Sequence, residues 1–164
     1  MIASKEWNSI SEEYKEIIKK YQDTFPIKVG QIAKELNLII KSATLRAGIS
    51  GEIKKVGDNY VIRINRHDVK ERQRYTLAHE IAHFLLHKDD IGDGIEDTVL
   101  YRSRLSDAKE AQANRLAADI LMPWEKLSSY YKKHTNLEKI EKLEKVAADL
   151  EVSTTALKYR LGLS

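Results

Sequence analysis

The chain has 164 residues, 42% of them hydrophobic and 32% charged, with a net charge of +3 and no cysteine. That length and polarity suit one globular domain with a sizeable core. They exclude a disordered chain, a disulfide scaffold and a thiolate metal site. The signs of charge are mixed, so composition alone sets up no field for nucleic acid. No apolar run approaches the roughly 20 residues that span a bilayer, and the start lacks a signal peptide's apolar stretch. A cytoplasmic protein without membrane contact is the expectation.

Residues 11–21 read as a helix, with Ile10, Tyr14, Ile17, Ile18 and Tyr21 at three- and four-residue spacing. Asp23-Thr24-Phe25-Pro26 breaks it, and a short helix carrying Val29, Ile32, Ala33 and Leu36 follows. Residues 38–41 and 60–64 are β-branched and read as strands. Between them, residues 47–56 alternate loosely around Gly48 and Gly51, which suggests a bulge or a close backbone approach. A small antiparallel sheet of about three strands is expected.

The next segment contains His79-Glu80-Ile81-Ala82-His83. Leu77, Ala78, Ile81, Ala82 and Leu85 form an apolar stripe, so the motif lies on a helix. Asp68 as N-cap and Glu71 three residues later resemble a capping box. Four residues apart, His79 and His83 share one helix face and can reach one metal ion. Glu80 stays beside them without having to bind. There it can act as general base toward an attacking water.

Residues 88–104 read as a long polar loop holding Asp89, Asp90, Asp93, Glu96 and Asp97. A carboxylate on a rigid helix ranks above these as a third ligand. Ser106 is the expected N-cap of a helix that runs to Met122, where Pro123 stops it. Its alanines allow close approach to a neighbour. Glu110 and Asn114 share one face. Glu110 completes a His/His/Glu set, and Asn114 can hold a ligand's other ring nitrogen.

The remainder is helical and charged. Leu137, Ile140, Leu143, Val146, Ala147 and Leu150 make a helix stripe, and Ser153 is an N-cap for a last short helix closed by Gly162. The tail looks like a helix-turn-helix. Its last helix carries only Lys158 and Arg160 as cations, too few for a phosphate-contacting surface. It is read as packing onto the core, not as a DNA contact. The whole is expected to be α+β and mostly helical, one domain over 1–164. Residues 1–37 are N-terminal helices, 38–123 the sheet and active-site helices, and 124–164 the helical tail.

Arg74-Tyr75-Thr76-Leu77-Ala78-His79-Glu80-Ile81-Ala82-His83, then Tyr101-Arg102, then residues 110–123 with Glu110-Ala111-Gln112-Ala113-Asn114-Arg115, together resemble the ImmA/IrrE family of metallopeptidases. Leu116 stands where that family often has Phe. The resemblance implies a zincin-like fold of the gluzincin type. The ligands would be His79, His83 and Glu110 and the base Glu80, with zinc as cofactor or manganese in its place. It also implies a substrate, a helix-turn-helix transcriptional repressor. The rival reading is a non-catalytic antirepressor or a toxin–antitoxin component with a structural metal. A structural zinc takes four protein ligands and leaves Glu80 idle. Candidates for an oxyanion donor are His87, Tyr101, Arg102, Tyr130 and Tyr131, and residues 48–54 could bind substrate by strand addition.

Overall fold

A computed structural model of the chain describes residues 3–92, 94–98 and 106–163. Three helices come first: α1 (Lys5–Ser9), α2 (Glu12–Lys20) and α3 (Val29–Glu35). Ser4 and Ser11 cap the first two, each side chain accepting from a backbone N–H three residues on. Three strands follow, β1 (Leu38–Ala43), β2 (Ile49–Val56) and β3 (Asn59–Asn65). Gly57, at φ +61°, opens the two-residue turn between β2 and β3.

The fold is α+β and mostly helical, as expected, but the sheet differs in two respects. A fourth strand, β4 (Ile95–Thr98), lies within the segment read as a loop, and the order is β1-β3-β2-β4. Pairing is antiparallel on both sides of β2, whereas β1 runs parallel to β3, with Leu38 opposite Tyr60. The sheet is therefore mixed. Strand direction is set by which edge the chain returns to, a non-local choice that alternation within one strand does not encode. The β2–β4 register shifts between Ile49 and Gly51, so the expected bulge is present.

Helix α4 (Lys70–Leu86) packs against the sheet, and α6 (Asp107–Leu121) lies along α4. Every residue from 76 to 84 of α4 is buried, because the helix is covered on several sides. Its N-cap is Val69, without a side-chain bond. Asp68 contributes its backbone carbonyl, which accepts from Gln73 Nε2 at 2.8 Å, so the capping box is not formed. A short helix, α5 (Lys88–Ile91), follows α4. On α6, Ser106 caps as expected, accepting from Lys109 N. Ala113, Ala117 and Ala118 are buried and leave little bulk on its packed face.

Helices α7 (Trp124–Lys133), α8 (Lys139–Leu150) and α9 (Thr154–Leu161) complete the chain. Buried Leu143, Val146, Leu150, Val152 and Leu157 join the same core. Arg160 turns inward at 5% exposure, donating to Asp119 Oδ1 at 2.9 Å and to the Met122 carbonyl at 2.9 Å. The Ser4 backbone N–H donates to the other oxygen of Asp119 at 3.2 Å. One buried carboxylate thus ties the N-cap of α1 and the side of α9 to α6. Such a pair is tolerated in the interior because its remaining lone pairs are bonded. Arg115 clasps buried Glu6 in a second such tie, at 2.7 and 3.0 Å. Among the described residues, no helix is long and apolar enough to cross a membrane.

Gly51 marks where β2 meets α4. A Cβ there would lie 2.4 Å from Thr76 Cγ2 and 3.1 Å from the Arg63 carbonyl oxygen. Neither neighbour is a flexible tip, so Gly51→Ala should cost about 1–3 kcal/mol of stability. Urea unfolding checks this: the midpoint falls while the slope is unchanged.

Candidate metal centre

Helix α4 presents His79 and His83 one turn apart, its C-cap His87 follows four residues later, and α6 presents Glu110 to the first two. The Nε2 atoms of His79 and His83 are 3.0 Å apart. Glu110 Oε2 lies 3.2 Å from His79 Nε2, and Oε1 lies 3.1 Å from His83 Nε2. Both histidines are buried, and the Glu110 side chain is 24% exposed. The three expected ligands therefore converge, from residues 27 apart in the chain at the nearest.

The donor set fits a divalent cation. Ligand atoms held at 2.0–2.1 Å in a tetrahedron stand about 3.3 Å apart. The observed triangle has edges of 3.0, 3.1 and 3.2 Å, close to one face of that tetrahedron. The outer ring nitrogens decide the tautomers. His79 Nδ1 lies 2.8 Å from Asn114 Oδ1, which can only accept, so that nitrogen carries the hydrogen. Tyr75 Oη donates to the same oxygen at 2.9 Å. His83 Nδ1 faces His87 Nδ1 at 3.0 Å, and His87 Nε2 faces Gln112 Oε1 at 2.8 Å. With the Gln112 oxygen as acceptor, His87 carries its hydrogen on Nε2 and accepts on Nδ1. His83 must then donate from Nδ1. Both inner Nε2 atoms are left with lone pairs aimed at each other and at a carboxylate. This arrangement is repulsive unless a cation sits between them.

The electrostatics agree. Burial pushes the His83 imidazole below its ordinary value, with Glu110 opposing the shift. Near neutral pH the pair is a neutral imidazole and a carboxylate, the forms that bind metal. Glu80, fully buried, sits next to His79 on α4.

Asn114 takes the supporting place expected of it. His87 does not stand as an independent donor, since its ring is committed between His83 and Gln112. The Tyr130 hydroxyl donates to Asp149 Oδ2 at 2.6 Å, which pushes it up to about 12, and Tyr131 lies 4.0 Å under the Lys142 ammonium. Both belong to the α7–α8 contact. Tyr101 and Arg102 lie outside the described residues, as do Asp93 and the side chains of Glu96 and Asp97. Asp89 is exposed, and Asp90 pairs with Lys109 at 2.5 Å. Strand addition on residues 48–54 is excluded, because β2 is already paired along both edges, to β3 and to β4. Gln112 and Tyr75 were not singled out from sequence. A spacing of two places Gln112 about 200° around a helix from Glu110, so periodicity points away from it.

Two histidines on α4 and a glutamate on α6 make a candidate mononuclear centre of the H-E-x-x-H-plus-Glu kind. A family profile described as Peptidase_M78, IrrE N-terminal-like domain, matches residues 28–162, and the chain belongs to that family. Two curated relatives carry the name radiation response metalloprotease IrrE. The one from Deinococcus deserti is 35% identical over 106 residues, covering 64% of this chain and 37% of the relative. The one from Deinococcus radiodurans is 46% identical over 67 residues, covering 40% of this chain and 20% of the relative. The chain thus spans well under half the length of either. The family's metalloprotease character implies a metal cofactor, and the His79, His83 and Glu110 cluster is where one fits.

If His87 and Gln112 fix the His83 tautomer, His87→Phe and Gln112→Leu should each weaken divalent-metal affinity by about 10–100-fold. Gln112→Glu, which restores an acceptor, should keep it. Chelator competition measures all three. The same titration followed against pH gives a second check. Protons compete only once an imidazole is charged, and His83 charges below its ordinary 6.5. The part of the affinity loss that comes from His83 should therefore appear only as pH falls beneath that value.

Proposed function

We propose that the chain is a zinc-dependent metallo-endopeptidase, with manganese as the alternative ion, that hydrolyses a peptide bond in a protein substrate. The observation that carries this reading is the triangle of two Nε2 atoms and one carboxylate, with edges of 3.0–3.2 Å, beside a fully buried Glu80. A cation held by His79, His83 and Glu110 would supply Lewis acidity toward the scissile carbonyl and the attacking water.

The rest falls to the chain's own groups. Glu80, already enclosed, takes the proton of the attacking water and delivers it to the leaving amine. His79 and His83 keep their inner nitrogens deprotonated because Asn114 and His87 hold the hydrogens on the outer ones. Glu110 brings one negative charge and sits on a different helix, so the α4–α6 spacing sets the size of the site. A structural zinc would need four protein ligands. The cluster found among the described residues has three, which favours catalysis over the antirepressor reading.

The repressor substrate is the family expectation. Arg160 is buried against Asp119, which leaves Lys158 as the cation α9 can offer to solvent. This supports recognition of a protein over direct contact with DNA. A chain without cysteine suits a reducing cytoplasm.

The test compares wild type with Glu80→Gln. Both should bind one equivalent of zinc. Wild type alone should cleave a co-expressed repressor, with the variant slower by at least about 100-fold. Mass spectrometry of the products reads the result, and cleavage that persists in Glu80→Gln refutes the role.

A further inference from the structure

The outer nitrogens of the two histidine ligands are held in different surroundings. His83 Nδ1 meets buried His87 and, through it, Gln112. His79 Nδ1 meets Asn114, which is exposed and lines a groove of about 850 Å³ between α4, α6, α8 and α9. Water therefore reaches the amide that supports His79.

An asparagine amide can offer either of two groups. Its oxygen only accepts, its nitrogen only donates, and a half-turn about the last side-chain bond exchanges them. His79 does not choose between them. An imidazole with its hydrogen on Nδ1 meets the oxygen, and one with its hydrogen on Nε2 meets the nitrogen. The second case puts a hydrogen on the atom that lies 3.2 Å from Glu110 and 3.0 Å from His83 Nε2, where a metal needs a lone pair. Glu110 favours that second case before an ion binds, since an Nε2–H would donate to its carboxylate. The amide nitrogen gives no anchor against it, because nothing among the described residues bonds to that atom.

Tyr75 decides the matter. It lies one turn before His79 on the same side of α4, and its ring is centred 6.4 Å from the imidazole at an interplanar angle of 29°. Its hydroxyl donates at 2.9 Å to the same Asn114 oxygen that accepts from His79 Nδ1 at 2.8 Å. Two donors then occupy the two lone pairs of that oxygen. A turned amide would ask the phenol to accept instead. A phenol accepts less well than it donates, because its oxygen shares electron density with the ring.

We propose that Tyr75 is a positioning residue of the metal centre: by donating to Asn114 Oδ1 it keeps the amide oxygen toward His79 and the His79 Nε2 lone pair toward the ion. This rests on His79, His83 and Glu110 holding a divalent ion, and not on that ion cutting peptides.

The first test is a double-mutant cycle read as zinc affinity by chelator competition. Tyr75→Phe keeps the ring and removes the donor, and should weaken zinc binding by about tenfold, the lower end of what losing such a supporting bond costs. Asn114→Asp offers an acceptor in either orientation, so Tyr75→Phe made on that background should change affinity by less than about twofold. An equal loss on both backgrounds would mean that Tyr75 acts through packing, and overturns the proposal. So does the absence of any loss when Asn114 is intact. The second test needs no ion. Long-range proton–nitrogen NMR of the metal-free chain reports which His79 nitrogen carries the hydrogen. It should be Nδ1 in wild type, with part of the population moving to Nε2 in Tyr75→Phe and returning to Nδ1 when Asn114→Asp is added. A His79 tautomer indifferent to Tyr75→Phe overturns the proposal. A tautomer that responds as expected in a chain that binds no zinc would leave the control by Tyr75 standing and sink the peptidase reading.

Discussion

The contact between α4 and α6 is the constraint on which the rest depends. Two ligand nitrogens belong to one helix and the carboxylate to the other, so the metal-sized gap exists only if the two axes stay in register. Alanines on α6 permit the approach. Gly51 lets β2 press on the opposite side of α4 at Thr76, where a methyl would collide. Two long-range ties, Glu6 with Arg115 and Asp119 with Arg160, then bind the first and last helices to α6. These pairs sit outside the centre, yet they fix the element that carries Glu110.

Within that frame three ligand atoms from two helices are brought to one point. Two imidazole lone pairs and a carboxylate oxygen converge within 3.2 Å. The outer hydrogen bonds to Asn114 and His87 hold the ring orientations and tautomers. His87, the C-cap of α4, is part of this. One turn beyond His83, it repeats the spacing of the first two, but the Gln112 oxygen converts it from a possible ligand into a tautomer lock.

Much of this was legible in the residues. The N-caps at Ser11, Ser106 and Ser153 marked helix starts because a short hydroxyl side chain satisfies an orphan N–H locally. The H-E-x-x-H spacing and the shared face of Glu110 and Asn114 are also local, and both led to the observed cluster. What escaped is non-local. The parallel pairing of β1 with β3 depends on chain routing, and β4 is a short strand made by docking onto β2 inside an acidic stretch. Asp68 looked like a cap, but the chain enters α4 with Val69 in the cap position. Gln112 was hidden because its partner lies on another helix. Arg160 looked like a surface cation until its partner on α6 was seen.

The most direct test is X-ray absorption on the zinc-loaded chain, wild type beside Glu110→Gln. The account predicts a wild-type first shell of two imidazole nitrogens and light oxygen ligands at about 2.0–2.1 Å, with zinc affinity reduced and the oxygen shell altered in the variant. A wild-type shell with four protein ligands, or a spectrum and affinity unchanged by Glu110→Gln, would contradict it.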